Sequence, residues 1–159
     1  MTLALGIDPG TATTGYGLVR LLPDGELVAV DFGIFSTPKD ELPAVRLEML
    51  YNNLTRLLKK YKPETAGVEK LFFSSNVTTA IAVGQARGVI MLAIQKAGIE
   101  IFEYTPNEVK QAVAGYGSAD KRQVQEMVRA LLQLEKIPKP DDAADALAVA
   151  ITHLNTKRY

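Results

Sequence analysis

The sequence contains no cysteine at all. Without thiols the chain cannot form a disulfide framework, a thiolate nucleophile or a cysteine-ligated metal site, so several secreted and redox classes of protein are excluded. A reducing interior of the cell is compatible with this composition. Histidine is also scarce, with a single copy, so any metal site must be built mainly from oxygen ligands.

Net charge and long apolar runs are likewise missing. Eighteen basic and eighteen acidic residues cancel, so the molecule lacks the diffuse positive field of many nucleic-acid binders, and any contact with DNA must use a local basic patch. The N-terminal apolar run is too short for a signal peptide, and no stretch approaches the roughly 20 apolar residues of a membrane span. We expect a soluble, cytoplasmic protein without a membrane partner, folded as one domain over residues 1–159.

Three short β-rich runs open the chain. Residues 3–8 form an apolar run that stops at a Pro-Gly turn, which indicates a buried strand. Residues 15–22 and 27–35 are two further runs, and the Pro23-Asp24-Gly25 sequence between them favours a hairpin. These runs predict three antiparallel strands.

Beyond residue 43 the apolar spacing becomes helical. Pro43 suits a first helical turn, and apolar residues three and four apart predict a helix that ends before Pro63. The later predicted elements are a strand over residues 65–71, a helix around 77–97, a strand around 99–104, a helix capped by Ser118 and a last helix over 142–154. Alternation of strand and helix implies parallel pairing. The predicted order is β-β-β-α-β-α-β-α-α, which is an α/β fold.

Two acidic residues lie at or near the ends of predicted strands. Asp8 ends the first strand, which places a carboxylate at the mouth of the sheet, where ligands commonly bind. Glu69 follows the apolar run Ala66-Gly67-Val68, where an unpaired buried carboxylate is costly or stays protonated, so it needs a cation. The alternatives are that Asp8 only forms a turn and that Glu69 only pairs with Lys70 or Lys121.

Asp142 and Asp145 lie three residues apart in the last predicted helix, so both side chains can reach one point in space. Like charges roughly 4 Å apart repel by about 4 kcal/mol at an effective dielectric of about 20, and divalent cations remove that repulsion. An all-oxygen set of carboxylates suits Mg²⁺ or Mn²⁺. The alternative is that these residues and Asp141 only complement the helix dipole, which explains Asp141 well and Asp145 less well.

Six motifs occur in order along nearly the whole chain. They are Leu5-Gly-Ile-Asp-Pro-Gly10 with Thr14-Gly-Tyr-Gly17, Val68-Glu69 followed by Phe72, Val83-Gly-Gln-Ala-Arg-Gly88, Val109-Lys-Gln111, Gly117-Ser118 with Lys121, and Asp142-Ala-Ala-Asp-Ala-Leu-Ala148 with Ile151-Thr-His153. Together they resemble the RuvC family of Holliday-junction resolvases. The resemblance implies a ribonuclease-H-like fold with a mixed five-stranded sheet flanked by helices, and a homodimer that cuts four-way DNA junctions with Mg²⁺.

The resemblance also assigns the catalytic groups. The family's four catalytic acidic residues match Asp8, Glu69, Asp142 and Asp145. Two Mg²⁺ ions would flank the scissile phosphate, one lowering the pKa of the attacking water and the other stabilising the leaving 3′-oxygen, so that each nick leaves a 5′-phosphate and a 3′-hydroxyl. Lys110 and Lys121 match basic residues near the family's active site, and Lys121 is expected to act in catalysis. Asp141 could replace Asp142 by pairing with Asp145, although the motif register favours Asp142.

Several other residues are expected to contact DNA. Phe72 matches the family position that stacks on a base at the junction centre. The predicted DNA-binding residues are Phe72, Phe73, Ser75, Asn76, Arg87, Lys110 and Lys121. The alternatives are two phenylalanines in the core, two solvated lysines, and a Ser74-Ser75-Asn76 segment that only caps the next helix.

The predicted partners follow from symmetry. A four-way junction has approximate two-fold symmetry, so two identical subunits can each cut one of two opposing strands. Ala80, Gly84 and Gly88 form a smooth strip on one predicted helix, which is either an internal packing surface or the dimer seam. The family resemblance also implies branch-migration motor proteins as partners.

Three competing functions remain open at this stage. Residues 6–11 resemble the first phosphate loop of the actin and sugar-kinase group, although one 159-residue domain leaves no second lobe to close over a nucleotide. A domain that binds branched DNA without cutting it would be favoured if one of the four carboxylates were missing. A ribonuclease-H-like nuclease that acts on RNA is the nearest rival, against which Phe72 and residues 83–88 argue.

Overall fold

The computed structural model describes residues 1–10, 12–70 and 76–157. Its centre is a five-stranded sheet of order β3-β2-β1-β4-β5. The strands are β1 Thr2–Asp8, β2 Thr13–Leu21, β3 Leu27–Ser36, β4 Thr65–Glu69 and β5 Glu100–Tyr104. The first three pair antiparallel, whereas β4 pairs parallel with both β1 and β5. The predicted mixed sheet, its hairpin and its parallel half are therefore confirmed.

In the described part of the chain, five helices flank this sheet. They are α1 Pro43–Tyr61, α2 Val77–Lys96, α3 Pro106–Ala114, α4 Lys121–Leu131 and α5 Asp141–Thr156. The predicted order missed α3, which begins directly after β5 with a capping box between Thr105 and Glu108 and buries only Val109 and Val113. So short an apolar pattern gives a weak periodic signal.

The prediction that Ser118 caps a helix is wrong. The N-cap of α4 is Asp120, whose side chain accepts a hydrogen bond from the Gln123 amide, while the Gln123 side chain reaches back to the Asp120 amide. This reciprocal pair satisfies two backbone donors at once, which a serine two residues earlier in the chain does not. The helix therefore begins at Lys121.

The two faces of the sheet carry separate apolar cores. Helices α3, α4 and α5 pack on one face, where Val19, Leu147 and Ile151 are fully buried. Helices α1 and α2 pack on the other face around Leu5 and Leu54. The molecule is thus a three-layer arrangement in which β1 is covered on both sides, which explains why its sequence is continuously apolar up to Asp8.

A row of glycines crosses the sheet beneath α5. Gly6 of β1 is in register with Gly17 of β2 and with Gly67 of β4. A Cβ atom at Gly6 would lie 2.1 Å from the carbonyl oxygen of Ala146 in α5. Only glycine permits this approach, so the backbone of α5 rests almost directly on the sheet.

The expectation that no segment approaches the length and apolar composition of a membrane span is wrong. Helix α2 has 20 residues and is apolar enough to cross a membrane, because alanine, valine and isoleucine dominate it and Arg87 and Lys96 are its only charged residues. Much of this apolar surface is exposed, including Val77, Ile81 and Leu92. A single helix of this kind is weak evidence for a membrane span, and an exposed apolar face equally suits packing against another protein chain.

Candidate active site

Acidic side chains from three separate elements meet at one edge of the sheet. Asp8 ends β1 and Glu69 ends β4, and these strands are parallel neighbours, so their carboxyl ends lie side by side. Asp142 and Asp145 lie in the first turns of α5. One carboxylate oxygen each from Asp8, Asp142 and Asp145 lies within 4.8 Å of the others. The folded chain therefore gathers acidic groups that are up to 137 residues apart in sequence.

A second glycine contact sets the height of α5 at this edge. Gly15 is paired with Asp8 in the antiparallel register. A Cβ atom at Gly15 would lie 2.0 Å from the carbonyl oxygen of Asp142. The missing side chain lets the first turn of α5 approach the end of β1, and this approach brings the Asp142 carboxylate to that of Asp8.

Glu69 joins the cluster through Asp8. The two carboxyl groups lie close enough to raise the cost of ionising both of them. The pKa of Asp8 is raised to about 9, mainly by burial and then by Glu69 and the nearby charges of Asp145 and Asp142. Burial likewise raises the pKa values of Glu69 and Asp145. The fold thus holds acidic groups where their ionisation is unfavourable unless a cation is present.

This donor set fits a hard divalent cation. Carboxylate oxygens are the ligands that Mg²⁺ and Mn²⁺ prefer. A cation at this point would lower the pKa values that burial and mutual repulsion raise. The residues that would hold it are Asp8, Glu69, Asp142 and Asp145.

The neighbouring side chains of Asp141 and Asp142 have different partners. The Thr13 hydroxyl donates a 2.6 Å hydrogen bond to Oδ2 of Asp142, which fixes that carboxylate beside Asp8. Asp141 instead lies near Lys121 and Lys139, at 3.6 and 3.5 Å. The geometry therefore favours Asp142 over Asp141 as a metal ligand.

Two polar residues near this edge were not predicted from the sequence. Thr13 orients Asp142 across a separation of 129 residues, and the buried Gln125 donates a 3.2 Å hydrogen bond to Asp141. Neither residue belongs to an acidic or basic motif. The only signal available was that Thr13 directly precedes the Thr14-Gly-Tyr-Gly17 motif.

Both predicted active-site lysines lie beside the carboxylates. Nζ of Lys121 is 3.7 Å from Oδ2 of Asp145, and the charge of Lys110 acts to lower the pKa of Glu69. Together with Glu69 and Asp145, the two lysines line a cleft of about 230 Å³. The cleft offers positive charge next to carboxylates that could hold a cation, an arrangement that suits a phosphate diester.

The other predicted DNA-binding residues have varied surroundings. Phe72, Phe73 and Ser75 lie outside the described residues. Asn76 is the N-cap of α2, and its side chain accepts a hydrogen bond from the Thr79 amide. Arg87 forms an ion pair with Glu103 of β5, and its side chain is only 14% exposed. Its guanidinium is therefore already occupied by a carboxylate in the DNA-free protein.

Comparison with known proteins places the whole arrangement in one family. The family model of crossover junction endodeoxyribonuclease RuvC matches residues 4–153. A protein of that name from Chloroflexus aggregans is 58% identical over 153 residues, which are 96% of this chain and 93% of the relative.

Two solved structures have the same architecture. The RuvC structure of Thermus thermophilus superposes with a TM-score of 0.90 at 35% identity and covers 96% of this chain and 93% of its own. The Thermus thermophilus RuvC in complex with a Holliday junction substrate gives a TM-score of 0.93 at 34% identity, with 98% and 94% of the two chains covered. The fold is therefore ribonuclease-H-like, and the chain belongs to the RuvC family of crossover junction endodeoxyribonucleases.

Proposed function

We propose that this protein resolves four-way DNA junctions by cutting two opposing strands. The observation that carries the proposal is the convergence of Asp8, Glu69, Asp142 and Asp145 at one sheet edge, with two lysines beside them. The relative solved with a Holliday junction substrate supports this substrate class. The same site in a chain of this family does not suit nucleotide phosphotransfer or binding without cleavage.

The proposed cofactor is Mg²⁺, with two ions per active site and with Mn²⁺ as a substitute. When bound, such ions would activate the attacking water and neutralise charge on the scissile phosphate, which gives a 5′-phosphate and a 3′-hydroxyl. The chain's own contribution is to fix the ligands. The glycine contacts place α5, and Thr13 holds Asp142 in a single orientation.

The two lysines would serve the phosphate. Lys110 and Lys121 line the same cleft as Glu69 and Asp145, so both ammonium groups can approach a phosphate that enters it. Lys121 already lies against Asp145 and can stabilise charge that develops on the phosphate oxygens. We assign Lys121 a catalytic role and Lys110 a role in phosphate binding.

The remaining DNA contacts are proposed for the segment between β4 and α2 and for α2 itself. Phe72 and Phe73 would meet unpaired bases, and Ser75 and Asn76 would meet phosphate near the N-terminus of α2. Arg87 would have to exchange its Glu103 partner for a phosphate. Replacing Arg87 should thus weaken junction binding less than replacing Lys110.

The proposed active form is a homodimer that works in the cytoplasm with branch-migration motor proteins. Dimer formation is supported by α2, where a Cβ atom at Gly84 or Gly88 would meet nothing within 4 Å and where Ile81 and Leu92 are exposed. A smooth apolar strip of this kind suits the approach of a second helix.

One assay tests the proposed activity. The protein is incubated with a mobile four-way junction and Mg²⁺, beside linear duplex and RNA–DNA hybrid substrates. We expect paired nicks on the junction and little cutting of the other two. Asp8→Asn should bind the junction without cutting it, whereas Asp40→Asn, which removes an exposed carboxylate from a loop, should cut normally.

Other results would favour other functions. Cleavage of the hybrid in preference to the junction would indicate an RNA-processing nuclease, and ATP hydrolysis without DNA would indicate a phosphotransferase. Normal cutting by Asp8→Asn would show that the metal site is assigned to the wrong residues.

A further inference from the structure

Lys121 lies between two carboxylates of α5. Its Nζ atom is 3.6 Å from Oδ2 of Asp141 and 3.7 Å from Oδ2 of Asp145. The side chain is 57% exposed, so little packing holds it in place. A long and exposed lysine has many accessible rotamers. The two carboxylates are therefore the main described contacts that keep its ammonium group at the cleft.

The carboxylate of Asp141 is itself held in a fixed orientation. Its Oδ1 atom accepts a 3.2 Å hydrogen bond from Gln125, whose side chain is buried against α5, and lies 3.5 Å from Nζ of Lys139. The other oxygen, Oδ2, is left to face Lys121. One side of the group is thus anchored by protein contacts while the other side is presented to the lysine.

In the proposed reaction, one carboxylate partner of Lys121 would bind a cation and the other would not. Asp145 belongs to the acidic cluster, so a bound cation would draw its oxygens away from the lysine and repel the ammonium group. Asp141 is not a member of the cluster of Asp8, Asp142 and Asp145, so it stays available to the lysine. If Asp145 were the only partner, Lys121 would lose its position when it is needed beside the phosphate.

We propose that Asp141 is a positioning residue that keeps the Lys121 ammonium group at the cleft when Asp145 binds the cation. The inference rests on the proposed function, in which Lys121 stabilises charge on the scissile phosphate. It assigns Asp141 a role distinct from that of Asp142, its neighbour in sequence. Asp141 acts through Lys121 and contacts neither cation nor substrate.

A double-mutant cycle tests the proposal on junction cleavage. Asp141→Asn keeps the size of the side chain and removes its charge. We expect kcat to fall by about two- to fivefold, the range that an exposed ion pair typically contributes, while KM for the junction stays unchanged. In a Lys121→Ala background the same change should have no further effect on kcat. Asp141→Glu should recover most of the activity.

The matched control is Asp120→Asn. Asp120 is the direct sequence neighbour of Lys121, but its carboxylate caps α4 rather than contacting the ammonium group. Asparagine is an equally good N-cap, so the helix should persist. This variant should leave kcat unchanged. An equal fall in kcat for Asp120→Asn and Asp141→Asn would mean that general loss of negative charge is responsible, and would overturn the proposal.

A second measurement uses the Mg²⁺-loaded protein without DNA, because Asp145 still contacts Lys121 in the metal-free protein. NMR relaxation of the Lys121 side-chain methylene groups should show greater mobility in Asp141→Asn than in the wild type or in Asp120→Asn. Unchanged mobility, or a kcat loss that persists in the Lys121→Ala background, would overturn the positioning role. Because this readout needs no cleavage, failure of the wild type to cut junctions would count against the proposed function alone.

Discussion

Helices α5 and α2 cover opposite faces of the sheet, and both are rich in small residues, but their surroundings differ. Eleven of the 16 residues of α5 are buried, against four of the 20 residues of α2. The sheet meets α5 with glycines that have no room for a side chain, whereas the glycines of α2 face open space. Close packing at α5 fixes the position of two carboxylates of the candidate metal site, and loose packing at α2 leaves an exposed apolar surface. Small residues therefore allow close packing inside the subunit at α5, and at α2 they would allow the proposed approach of a second subunit.

The largest effect is expected from filling the contact under α5. Gly15→Ala would place a Cβ atom 2.0 Å from the Asp142 carbonyl oxygen, so α5 or β2 must move. We expect a loss of about 3 kcal/mol or more in the free energy of unfolding, at the upper end of overpacking costs, together with loss of junction cleavage. Urea unfolding and the cleavage assay measure the two effects. A stable and active Gly15→Ala protein would show that α5 does not need this close contact with β2.

A smaller effect is expected from the buried histidine that joins α5 to the sheet. His153 is fully buried, with its Nε2 2.6 Å from the Thr65 hydroxyl and its Nδ1 2.7 Å from the Tyr104 hydroxyl. Its pKa is lowered to about 4, mainly by burial and to a smaller extent by the charge of Lys157. The histidine therefore becomes protonated below about pH 6.5 in the unfolded chain but only below about pH 4 in the folded protein.

Stability should accordingly fall as the pH drops through that window, at up to about 1.4 kcal/mol per pH unit from this group. His153→Gln should be less stable than the wild type at pH 7 by about 1–3 kcal/mol, because two buried hydroxyls lose a partner, and its stability should decline less steeply between pH 6.5 and 4. Thermal unfolding at several pH values is the measurement. Parallel pH curves for the two proteins would contradict the assignment of a neutral buried histidine.

The smallest effect on the subunit itself is expected at α2. A Cβ atom at Gly84 would meet nothing within 4 Å, so Gly84→Ala should leave the subunit stable or stabilise it by roughly 0.5–1 kcal/mol through the higher helix propensity of alanine. If the strip is the dimer seam, the same change should weaken self-association in analytical ultracentrifugation. Unchanged self-association would place the dimer surface elsewhere.

The sequence predicted most of the architecture because its apolar periodicities are strong. Alternating and continuous apolar runs located all five strands, and the turn at Pro23-Asp24-Gly25 located the first hairpin. The short helix α3 escaped because two buried residues make too little periodicity, and the cap of α4 was misplaced because Ser118 is as good a capping residue in isolation as Asp120. Local sequence patterns thus fail to predict a helix boundary when the boundary depends on a contact with a residue a few positions away.

The candidate site was predictable only in part. Strand-end acidic residues and an i, i+3 pair of aspartates are visible in sequence, and the structure gathers them. Thr13 and Gln125 left no such trace, because their partners lie far away in sequence or in another helix. The choice between Asp141 and Asp142 likewise required the side-chain directions, since adjacent helical residues point about 100° apart.

Binding of Mn²⁺ to metal-free protein, followed by isothermal titration calorimetry, tests the central claim most directly. The claim is that three elements build one metal site that includes Asp142 and excludes Asp141. Asp142→Asn should bind Mn²⁺ at least about tenfold more weakly than the wild type, as expected for loss of a ligand, whereas Asp141→Asn should bind it with nearly unchanged affinity. Weak binding by Asp141→Asn with normal binding by Asp142→Asn would contradict the account.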